Sequence, residues 1–133
     1  MKKFYVALML CLVSIVMISC SNNNPLNKTI DQSLTTEEVA SVNDTIFSMI
    51  YDEMKRDYDN LPTEFKVTYC KMKYSDVLGF VNKVNDCMKN GKTIEDAQLT
   101  SEEELVGEFT TVSSLNKMGL KPEQIKDVLK NNK

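Results

Sequence analysis

The chain has 133 residues, a formal net charge of −3, and neither histidine nor tryptophan. That length builds one modest core, not two domains. The missing histidine removes the usual general base, the usual pH switch and the commonest metal ligand together, so no enzyme, cofactor or metal centre is expected; an acidic chain without a basic run also matches nucleic acid poorly, because phosphates need clustered lysine and arginine.

The first twenty residues stand apart from the rest. Lys2 and Lys3 give a short positive start, and residues 4–18 follow without a charge, interrupted only by Ser14. This is the n-region and h-region of an export signal. The uncharged stretch, about fifteen residues, falls short of the roughly 20 that a membrane-spanning helix needs. It ends in Met17-Ile18-Ser19-Cys20. A plain cleavage site prefers small residues in an A-x-A-like pattern, and Met17 is large at that place.

Those four residues resemble a bacterial lipobox. It consists of an aliphatic residue (most often leucine, here Met17), a tolerant position, a small residue and an obligatory cysteine. The resemblance to bacterial lipoproteins covers residues 1–20. It implies that residues 1–19 are a removed signal peptide, that Cys20 is the lipid attachment site, and that the protein sits at the bacterial cell envelope, held to a membrane by lipid. A thiolate is the nucleophile suited to that bond. Several acyl chains, at about 0.8 kcal/mol per buried CH₂, hold a protein durably where one would not. Loss of Lys2 and Lys3 leaves 14 basic against 19 acidic residues, a formal charge of −5. No polybasic surface remains to bind anionic lipid, so the anchor is expected to supply the membrane affinity.

Residues 20–33 then read as the lipidated cysteine followed by a flexible tether, polar and rich in Asn and Ser. A single helical domain is expected over residues 34–133. Thr35 and Glu38 have the spacing of a capping box, with Leu34 and Val39 as its hydrophobic staple. Val39, Val42, Ile46, Met49, Ile50 and Met54 form one stripe of a 3.6-residue period. Asp57-Tyr58-Asp59-Asn60 reads as a solvated helix end. Pro62 suits the first turn of a second helix, with Leu61, Phe65, Tyr69 and Met72 on one face. Residues 65–69 also alternate like a strand; helix is favoured, because the neighbours are helical and no partner strand is in sight.

Ser75 is read as the next N-cap, opening a stripe of Val77, Phe80, Val81, Val84, Cys87 and Met88 that stops at Asn90-Gly91. Residues 93–98 suit a short turn of helix. Ser101 and Glu104 are read as a capping box before Leu105, Phe109, Val112, Leu115 and Met118. Gly119 ends that helix, and Pro122 opens the last, with Leu120 and Ile125 as staple and Val128 and Leu129 facing the core. The expectation is all-α: a compact bundle of about four to five short helices.

With Cys11 in the signal and Cys20 in the anchor, Cys70 and Cys87 remain. An even pair in an oxidising compartment is a disulfide candidate. A bridge needs Cα atoms within about 7 Å, so the chain would have to turn near Ser75. The alternative is that Cys87 is a small buried hydrophobe. Glu102-Glu103-Glu104 reads as first-turn acids favoured by the helix dipole rather than as catalytic carboxylates. Tyr51, Tyr58, Tyr69 and Tyr74 suit either a ligand groove or core edges. The leading expectation is a non-enzymatic module that binds a protein partner, such as an inhibitor, an immunity factor or an accessory subunit. The alternative is a carrier or sensor of a small apolar ligand, motivated by eight methionines and the aromatics.

Overall fold

The structure, a computed structural model, describes residues 25–42 and 45–132. The signal residues 1–19, Cys20 and residues 21–24 therefore lie outside the described part. Among the described residues six α-helices follow in order: α1 (Thr36–Val42), α2 (Thr45–Asp59), α3 (Thr63–Tyr69), α4 (Tyr74–Lys89), α5 (Ser101–Lys117) and α6 (Pro122–Asn131). Single 3₁₀ turns occupy Pro25–Asn27 and Ile94–Asp96. No strand occurs among the described residues, and none of their helices is long and apolar enough to cross a membrane. The chain forms a compact helical bundle.

The α4 stripe supplies one half of the core: Val77, Phe80, Val81 and Val84 are all buried. Val106, Phe109, Val112 and Leu115 of α5 supply the facing half. These two helices form the most extensive pairing of the bundle. Leu61, Phe65, Tyr69 and Met72 close one side as the helical reading of α3 requires; Val67, the residue a strand would have turned inward or outward with its alternate neighbours, points to solvent. Tyr69 meets Phe109 edge to face at 5.5 Å, and Tyr74 meets Phe47 at 6.0 Å and Tyr51 at 5.5 Å. Tyr58, Tyr69 and Tyr74 are thus core residues, Tyr69 and Tyr74 almost fully covered, and Tyr51 packs half-buried against them.

The N-terminal segment corrects the tether expectation. Residues 25–33 belong to the fold. Pro25, Leu26 and Ile30 are buried. Thr29 and Lys73 form an isolated antiparallel bridge, with the Ile30 amide donating to the Met72 carbonyl at 2.8 Å and the Tyr74 amide donating to the Lys28 carbonyl at 3.2 Å. The polar look of 21–33 hid two apolar residues at the right spacing, Leu26 and Ile30. Once they are buried, the segment's backbone groups need partners, and the α3–α4 turn provides them.

The same bridge explains a second correction. Ser75 does not cap α4; Lys73 holds the N-cap position without a side-chain cap. The Tyr74 amide, one of the donors a helix start leaves open, is satisfied by Lys28 instead. A third correction concerns α5. Its capping box is Thr100–Glu103, one residue earlier than read: Glu103 N–H donates to Thr100 Oγ1 at 3.1 Å and Thr100 N–H donates to Glu103 Oε1 at 2.8 Å. The sequence Thr100-Ser101-Glu102-Glu103-Glu104 contains two overlapping box patterns, and tertiary contacts choose between them. The Thr35–Glu38 box forms as read, with both reciprocal bonds present, and Gly91 and Gly119 end α4 and α5 at positive φ.

Candidate functional site

Two of the buried polar residues are carboxylates, Glu103 and Asp57, and each is tied to one end of α5. At the N-terminal end, the Lys83 ammonium of α4 contacts Glu103 Oε1 at 2.5 Å and also donates to the Gln98 carbonyl at 3.1 Å. Gly79 makes the approach possible, since a Cβ there would lie 2.5 Å from Glu103 Oε2. Burial pushes the Glu103 carboxyl up, the largest single influence. The hydrogen bonds from Lys83 and from the Thr100 amide and hydroxyl together outweigh it and hold the group below the ordinary glutamate value. Glu103 Oε1 accepts from both the Lys83 ammonium and the Thr100 amide. The first-turn role read for the acidic run therefore falls mainly on Glu103.

The C-terminal end of α5 is more open. Asp57, on α2, is buried and pairs with Lys117 of α5 at 2.8 Å. It is not part of a solvated helix end. Asn116 Nδ2 donates to the Asn60 carbonyl at 3.1 Å and fixes the same junction. Between the helices lies a cleft of about 60 Å³ lined by Glu53, Asp57, Phe109, Thr110, Ser113, Ser114 and Lys117. That volume holds a few waters. Glu53 and Asp57 stand one turn apart on α2, while Thr110, Ser113, Ser114 and Lys117 follow helical spacing on α5. The Thr110 hydroxyl is already committed, donating to the Gly107 carbonyl at 2.7 Å. The cleft combines carboxylates, hydroxyls and an ammonium on a fixed frame and suits a small polar group. Asp57 was legible as an acid but not as a buried one, because its partner lies sixty residues away in sequence.

Cys70 and Cys87 are both free thiols, so the disulfide expected as one option is not formed in this fold. The chain does turn between them, as a bridge demanded, but at residues 70–73 and with the wrong consequence. Cys70 follows the end of α3, while Cys87 lies thirteen residues into α4, about 20 Å along it at 1.5 Å per residue. The thiols are therefore held toward opposite ends of α4. Both are partly exposed, neither fully buried nor paired. Among the described residues no group of histidine, cysteine and carboxylate side chains has the arrangement of a metal site. Cys20 lies outside the described residues. No protein-family model, curated protein or solved structure matches the chain.

Proposed function

We propose that this is a lipid-anchored protein of the bacterial cell envelope that acts by binding another protein. The observation that carries the reading is Lys2-Lys3, an uncharged apolar run, then Met17-Ile18-Ser19-Cys20. The signal is removed before Cys20, and acyl chains on that residue supply the membrane affinity. The small helical domain supports a binding role: its buried charges satisfy one another, and Met49, Val67 and Met118 stand more than half exposed. Exposed methionine is an adaptable contact residue. Inhibitor, immunity factor and accessory subunit are the roles that fit this size and address. The α2–α5 cleft is too small and too polar for the apolar-ligand alternative, which needs a few hundred Å³.

Metabolic labelling with a palmitate analogue tests the address. Wild-type protein incorporates label and a Cys20→Ser variant does not; equal labelling of the two removes the anchor. Purification of the lipidated protein in mild detergent tests the activity, with a stoichiometric protein partner expected and its absence counting against the binding role.

A further inference from the structure

The covalent distance between Cys20 and Pro25 limits how the domain can sit on a membrane. This inference rests on the lipid anchor proposed above. Pro25 is already buried, and only residues 21–24 stand between it and Cys20 in the chain. Five Cα–Cα steps of about 3.8 Å reach at most about 19 Å. A tether running to residue 33 would have reached more than twice as far and left the domain free to rotate.

The point of attachment is fixed by hydrogen bonds. The Lys28 amide donates to the Pro25 carbonyl at 3.1 Å, and the Lys28 carbonyl accepts from the Tyr74 amide at 3.2 Å. Pro25 therefore stands within about one helical turn, plus one bridge, of the start of α4. The turn of residues 70–73 is at the same pole. Its Lys71 and Lys73 side chains are exposed, so lipid headgroups meet cations there. Cys87 and Gly91 lie at the other end of α4, about 20 Å further on.

We propose that the α3–α4 turn, with Cys70, Lys71 and Lys73, is the lipid-facing pole of the domain. The C-terminal end of α4, with Cys87, is the pole presented to the aqueous phase. A protein partner then meets the distal pole, and the proximal turn is shielded by the bilayer. The two native thiols are placed to report this, one at each pole and both partly exposed.

The test uses the full-length lipoprotein, purified from bacteria and reconstituted into vesicles of zwitterionic phospholipid carrying a headgroup nitroxide. Cys87→Ser leaves Cys70 as the labelling site, and Cys70→Ser leaves Cys87; each is coupled to a bimane fluorophore. Quenching several-fold stronger for the Cys70 label than for the Cys87 label is the expected result. Equal quenching, or stronger quenching at Cys87, overturns the orientation while leaving the anchor intact. Insertion of twelve Gly/Ser residues after Asn24 is expected to bring the two values together; a difference that survives the insertion shows that the spacer does not set the orientation. Protein that fails to float with the vesicles removes the anchor and the orientation with it.

Discussion

The two ends of α5 carry the same kind of contact in different surroundings. At the N-terminal end, Glu103 joins a capping box, a lysine and a close backbone approach at Gly79. At the C-terminal end, Asp57 meets one lysine beside a cleft. The α5 member of each pair, Glu103 in the first turn and Lys117 in the last, agrees with the helix dipole, which favours acid near the first turn and base near the last. The difference is in what else depends on the pair. The N-terminal contact fixes where the helix starts and how closely α4 and α5 approach, whereas the C-terminal contact bounds a site that water can enter. The first is a structural device, and the second is where a ligand group has room.

The largest expected effect comes from the residue between the two ends. Phe109 is fully buried, packs edge to face on Tyr69, and forms one wall of the cleft. Phe109→Ala should cost about 3–5 kcal/mol of stability, measured by chemical denaturation. A loss below about 1 kcal/mol would mean that the α4–α5 interface can collapse around the missing ring and is not the rigid frame this comparison assumes.

Glu103 comes next. Its removal takes away a capping interaction and the partner of Lys83, and Glu103→Ala should lose about 2 kcal/mol. The pH dependence identifies the charge. A carboxyl held below its ordinary value of 4.5 in the folded state contributes stability that is present above about pH 4.5. That contribution is lost as pH falls through the lower folded value. Wild-type protein should lose stability on acidification through that window, and Glu103→Gln, which keeps the cap but cannot titrate, should lose less. Parallel curves for the two proteins would assign the acid sensitivity elsewhere.

How much of this was readable beforehand depended on the range of the interaction involved. The α4 stripe of Val77, Phe80, Val81 and Val84, the Thr35–Glu38 box and the glycine stops are encoded within a few residues of one another, and they were legible; the α2 stripe was legible only in part, because Met49 is exposed and Phe47, outside the expected stripe, is buried, and Met88 at the end of the α4 stripe is exposed as well. The register of the α5 box was not legible, because Thr100 and Ser101 offer equivalent local patterns and Lys83 and Gly79 decide between them. Leu26 and Ile30 were overlooked because two apolar residues among asparagines have no periodicity of their own; they are ordered by Met72 and Tyr74. The burial of Asp57 was hidden for the same reason, since its lysine arrives from another helix. Cys20 is the opposite case, a short pattern legible in the sequence and lying outside the described fold.

Gly79 gives a sharper version of the contrast, because its effect should change sign. In the wild type an added methyl group meets the Glu103 carboxylate, which is held through Oε1 by the Lys83 ammonium and the Thr100 amide. Gly79→Ala is therefore expected to destabilise by about 1 kcal/mol, in the range of mild overpacking. In a Glu103→Ala background the obstacle is gone. Alanine in a helix interior is then favoured over glycine by about 0.5–1 kcal/mol, so the same substitution should stabilise. Additivity in this double-mutant cycle would show that Gly79 is not conserving space for the carboxylate.

The smallest effect is expected at the open end. Lys117 leaves over half of its side chain in water, and pairs with one exposed partner contribute little, generally below about 1 kcal/mol. The cleft reduces the cost of losing the lysine further, since waters within it can solvate Asp57 once the ammonium is removed. Lys117→Ala should thus cost less than about 1 kcal/mol, although Asp57 is as buried as Glu103. The Asp57–Lys117 coupling energy from a double-mutant cycle should also be smaller than that of Glu103 with Lys83. A larger coupling at the Asp57 end would mean that water does not reach the carboxylate in solution. The cleft would then be closed, and α5 would be tied equally firmly at both ends with no site beside either of them.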